Sequence, residues 1–148
     1  GAGQGDAPPA PTGTVAPPES TMARGSAVPE GADPMGLEKL GNIARVDLGP
    51  RDGGCTFSLN AQELLLAGAP DDEAVKGKGV VRIGGELINL TAENGGLGAI
   101  YAGPTMTAQG VTVKVVPAAG NDAMRTADLY VAADGKQRKF AGGQWACG

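Results

Sequence analysis

From residue 55 onward, apolar side chains recur at every second position, and glycine-containing turns interrupt them. Cys55, Phe57 and Leu59 alternate with Thr56, Ser58 and Asn60, the pattern of a half-buried strand. Val80–Ile83 and Glu86–Thr91 flank Gly84-Gly85, and glycine accepts the positive φ that a tight hairpin turn demands. Thr105–Ala108 and Val111–Val116 predict a second hairpin turning at Gln109-Gly110, with Val111, Val113 and Val115 on one face and Thr112 and Lys114 on the other. Thr126–Ala132 and Lys136–Ala141 predict a third, turning at Asp134-Gly135; Leu129 and Val131 share a face and Phe140 closes the return. Residues 43–48 (IARVDL) predict a first strand, and residues 63–67 (ELLLA) fit either a short buried strand or a helical turn. Helix signals are confined to Met35–Leu40 and Ala61–Leu66. The expected fold is all-β and mainly antiparallel, a small sandwich or barrel of roughly six to eight strands.

Upstream the pattern vanishes. Residues 1–35 are rich in Pro, Ala and Gly, hold seven of the eleven prolines, and contain no aromatic residue. A segment of this composition buries too little apolar surface to offset its backbone entropy, and is expected to form a disordered tail or spacer. Residues 36–148 are then the folded domain, with a boundary near Met35–Gly41. An aromatic content of 3 % means its core is built from Val, Leu, Ile and Ala.

The chain has two cysteines, Cys55 and Cys147, which bracket the strand-rich region. A bond between them closes most of the domain into one loop and implies an oxidising compartment. Trp145 and Cys147 share a strand face, as do Cys55 and Phe57, so a Trp–Phe–disulfide cluster is expected in the core. An extracytoplasmic location follows: periplasm, cell envelope or secreted. The Ala/Gly-rich composition reads as bacterial, and the tail is the kind that begins a lipoprotein, its lipid-bearing cysteine lying upstream of Gly1.

The net charge of −4 is uneven. The acids Asp6, Glu19, Glu30 and Asp33 face only Arg24 in the tail, so the domain is nearly neutral. Nucleic-acid binding through phosphate neutralisation is not expected, and no apolar run reaches the ~20 residues of a membrane span.

Histidine is absent, which removes the base or ligand on which serine, cysteine and metal hydrolases most often rely. Ser20, Ser26 and Ser58 lack a Ser-x-x-Lys spacing. The acids Asp71, Asp72 and Glu73 after Pro70 read as a solvated turn rather than a calcium loop, and Asn121-Asp122 and Asp134 read as turn formers. Gly95-Gly96-Leu97-Gly98 lacks the Gly-Lys-Ser/Thr ending of a phosphate loop and reads as a turn. No cofactor or metal is implied. Lys136, Arg138 and Lys139 form a basic patch, read either as edge protection or as the contact for an envelope protein or anionic polymer.

The general form is similar to small exported bacterial β-proteins, such as periplasmic lysozyme inhibitors of the membrane-bound C-type class. Their Ser-Gly-x-x-Tyr motif has no counterpart; the nearest tyrosine stands in Ala99-Ile100-Tyr101-Ala102-Gly103. No functional residue is carried over. The expected function is a noncatalytic extracytoplasmic binding or structural module. The alternatives are a carrier of small apolar ligands inside a hollow barrel, and a histidine-free enzyme using carboxylates or a metal.

Overall fold

The alternating runs become strands of a closed barrel in the computed structural model, which describes residues 23–148, with side chains from residue 25 onward. Two short strands come first, β1 (Ala23–Gly25) and β2 (Leu37–Glu38). The barrel follows as β3 (Gly53–Leu59), β4 (Gln62–Ala69), β5 (Lys76–Ile83), β6 (Glu86–Gly95), β7 (Thr105–Ala108), β8 (Val111–Pro117), β9 (Met124–Ala133) and β10 (Lys136–Cys147). A five-residue helix, α1 (Leu97–Tyr101), interrupts the connection from β6 to β7. Strands β3 to β10 run up and down as antiparallel neighbours, and β10 returns to pair with β3. Of the two expected architectures, the barrel with eight strands is the one formed.

Its two ends differ. Four two-residue turns lie at one end: Asn60-Ala61, Gly84-Gly85, Gln109-Gly110 and Asp134-Gly135. Asp134 and Gly135 have φ of 54° and 74°, the conformation whose twist matches the flanking strands. The other end carries the longer connections, α1, and the Cys55–Cys147 disulfide. The three predicted hairpins stand as read.

The interior is filled. Phe57, Leu65, Val81, Ile83, Leu90 and Met106 are fully buried in one continuous cluster that also takes in Leu129, Val131 and Trp145. Close packing demands bare backbone at inward positions such as Gly79 and Gly143. A Cβ on Gly79 would stand 2.8 Å from Met106 Cε, and one on Gly143 would stand 2.5 Å from Phe57 Cζ.

Three expectations need correction. Residues 43–48 form no strand; Ile43, Val46 and Leu48 instead lie with Leu40 across the outer face of β4–β6, covering Leu66, Val80 and Leu87. Their alternation reflects a surface to be covered rather than a sheet to be joined. Neither helix candidate is a helix. Residues 61–66 are the turn and first half of β4, and their run of leucines lacks alternation because Leu65 faces the interior while Leu66 meets the outer cover. Met35–Leu40 holds the short strand β2, which pairs with the end of β5.

Part of the segment expected as a tail, from residue 23 onward, is also structured. Residues 1–22 lie outside the described residues, but the stretch from 23 to 35 does not behave as a tail. β1 pairs in parallel with β6, Ser26 and Val28 bond Gln109, and Val28, Ala32 and Met35 pack on the core. The β5–β6 hairpin projects past its neighbours, leaving edges on both sides. β1 fills one and β2 the other, so the intervening segment crosses the barrel mouth. Few apolar residues suffice because each caps an opening already lined with them.

Arg82 secures this clasp. It is fully buried, its Nε and Nη2 donate to the Leu40 carbonyl at 2.9 and 2.6 Å, and its Nη1 donates to the Gly85 carbonyl at 2.8 Å. Arg82→Met keeps the apolar stem but leaves two carbonyls without those donors, an expected loss of about 1–3 kcal/mol. Hydrogen exchange should then quicken first at Leu40, whose amide donates to Glu63. Unchanged exchange there would show the segment held by apolar contact alone.

Candidate functional site

Strand alternation brings Arg125 to the disulfide end on the same inward register as Ala127, Leu129 and Val131. A cation at that position lies at the mouth, across the β9–β10 ladder from the buried Trp145. Its guanidinium gathers three carbonyls from two backbone segments. Nη1 donates to Ala118 and Gly120 carbonyls at 3.1 and 3.0 Å, and Nη2 donates to the Tyr101 carbonyl at the end of α1. Its Nε is buried and meets no acceptor among the described residues. Trp145 Nε1 donates to the Ile100 carbonyl at 3.1 Å, so α1 is tied to both side chains.

These ties hold open a cleft of about 720 Å³ between α1, the β8–β9 connection and the end of β10. Its wall includes Gly98, Tyr101, Pro117, Asn121, Arg125 and Cys147. The volume lies within the range of small-molecule sites. Arg125 makes no ion pair among the described residues; its guanidinium is bonded to carbonyls, although Asp122 also lines the cleft.

The predicted site residues fall elsewhere. Cys55 and Cys147 are bonded, and the expected aromatic cluster forms, with Trp145 opposite Phe57 and Cys147 opposite Cys55 across the β3–β10 ladder. Lys136, Arg138 and Lys139 lie at the opposite end from the cleft and do not share a face. Arg138 points with Phe140, its guanidinium carbon 4.3 Å from that ring's centroid, and Nη1 donates to the Met35 carbonyl at 3.3 Å. Lys139 points the other way, 3.6 Å from the Asp128 carboxylate and 5.7 Å from the Tyr130 ring centroid. Tyr130 first and Asp128 second raise its pKa above the ordinary lysine value.

The chain matches no protein-family model, no curated protein and no solved structure.

The acids of the 71–73 turn remain exposed, and Asp72 accepts the Ala74 amide at 2.9 Å as a turn former does. Among the described residues no group of three or more His, Cys, Asp or Glu is placed to hold a metal ion. No described helix is long and apolar enough to cross a membrane. The Gly95–Gly98 stretch is more than a turn, since α1 begins at Leu97. Arg125 and the 118–123 connection carry the cleft, and sequence reasoning missed both. The one available signal was a cation in the inward register of β9.

Proposed function

We propose that this protein is a noncatalytic binding module that works outside the cytosol and takes a small anionic ligand in the cleft at its disulfide end. The observation that carries the reading is Arg125, a half-buried cation without a carboxylate partner, fixed by three carbonyls at the edge of that cleft. A guanidinium already oriented loses little freedom on meeting an anion, which favours binding. Alanine and proline residues in the same lining suit an apolar body behind the charged group. The filled interior favours this external cleft over a carrier with its ligand enclosed. The disulfide supports an oxidising location, since such bonds are rare where thiols are kept reduced.

Gly98 supplies the test. A side chain there would meet nothing within 4 Å of its Cβ, so Gly98→Leu extends into open space without disturbing the barrel. A panel of small aliphatic and aromatic carboxylates, read by the fluorescence of the chain's one tryptophan, is expected to yield a binder. Gly98→Leu should weaken it at least tenfold while leaving the melting temperature unchanged or raised. Equal binding by the variant would remove the cleft from consideration. Turnover of any ligand, lost on substituting one carboxylate, would dismiss the noncatalytic reading.

A further inference from the structure

The barrel closes over only part of β10. Register pairs with β3 run from Gln144 to Cys147, whereas residues 136–143 pair with β9 alone. The two-residue turn at Asp134-Gly135 fixes which backbone groups are engaged. Lys136 opposes Ala133 as the first hydrogen-bonded pair, so Lys136, Arg138 and Phe140 direct their N–H and C=O toward β9. Gln137, Lys139 and Ala141 direct theirs outward, and among the described residues no strand receives them. All three are exposed. Beyond them, Gly142 introduces a bulge, with its amide donating to Asp128 Oδ1 at 3.0 Å.

We infer that this open edge is a docking site for an extended acidic polypeptide segment, which adds to β10 as a further strand beside the Gln137–Ala141 backbone. The charges on the edge select the partner. Lys136, Arg138 and Lys139 stand within four residues, while the adjacent acids are Asp128, already paired with Lys139, and Asp134 in the turn. Two copies of the same edge would bring cations together, which disfavours self-pairing. An acidic strand reverses that sign and finds main-chain donors and acceptors already in strand geometry. The divergence of Arg138 and Lys139 to opposite faces suits such a partner, because successive side chains of a strand also alternate. This surface lies at the other end of the barrel from the cleft, and its occupancy does not depend on the cleft's ligand.

The test uses the full chain and an acetylated, amidated octapeptide of alternating Glu and Val, titrated by calorimetry and by amide hydrogen exchange. Binding should protect the Gln137, Lys139 and Ala141 amides and weaken with added salt. Backbone N-methylation of alternate peptide residues preserves charge and side chains but removes donors, and should weaken binding at least tenfold. Gln137→Pro, which removes an outward N–H without altering any charge, should do the same. If that variant misfolds, the N-methylated peptide on the unaltered chain decides alone. Three results would overturn the proposal: absence of binding, equal binding of the N-methylated peptide or of polyphosphate matched in charge, or prior protection of those three amides in the free protein.

Discussion

Replacing both Cys55 and Cys147 with alanine is expected to lower the unfolding free energy by about 4–5 kcal/mol, because the bond spans 92 residues and chain-entropy loss grows with loop length. This change is a large share of the roughly 5–15 kcal/mol that separates most folded domains from their unfolded chains. Its placement adds to the effect. Closure of the barrel rests on the short β3–β10 seam, whose register pairs are Gln144–Ser58 through Cys147–Cys55. The disulfide lies at the end of that seam and is extended by reciprocal bonds between Gly54 and Gly148. Without it, the last strand must find the first across the whole domain. Urea denaturation of the oxidised chain, the reduced chain and the double variant should give one high midpoint and two low ones. Exchange at residues 144–147 should rise ahead of that in β5 and β6. A reduced chain with the midpoint of the oxidised one would show that the seam's strand pairing suffices by itself.

The strands were legible wherever one face met the core and the other met water. Val111–Val116 and Thr126–Ala132 satisfy that condition, and their turn residues place the hairpins without further information. Legibility failed where the barrel is covered on both sides. Val80, Val81, Arg82 and Ile83 are all fully buried, two facing the interior and two lying under the clasp. The role of the arginine among them depends on Leu40, distant in sequence. The clasp was missed for a related reason. Val28, Ala32 and Met35 show no period because they do not belong to a regular element; they are held by edges that exist only once β5 and β6 have paired. The cleft depends equally on long-range arrangement. Arg125 is near Pro117–Ala123 in sequence, but Cys147 reaches it through the β9–β10 ladder, and Tyr101 comes from the distant α1. Local pattern reports what a residue's own strand requires. It does not report which carbonyls arrive from elsewhere.

The second large effect is expected at Trp145. This side chain is fully buried at the disulfide end and meets Phe57 across one ladder and Arg125 across the other. Truncation to alanine removes the largest side chain of the core where backbone closure leaves little freedom to collapse, so a loss of about 3–5 kcal/mol is expected. Trp145→Phe separates the two contributions. It retains most of the apolar volume but deletes the Nε1 donor, leaving the buried Ile100 side of α1 without its anchor. That change should cost about 1–3 kcal/mol, with the damage concentrated in α1. Exchange of the Ala102 amide, which donates to Gly98, reports on that helix directly. Faster exchange there with protected β5 and β6 amides would show that the indole holds the helix in position beside Arg125. Uniform acceleration throughout the barrel would instead make Trp145 a packing residue alone, and the cleft would then depend on Arg125 for its shape.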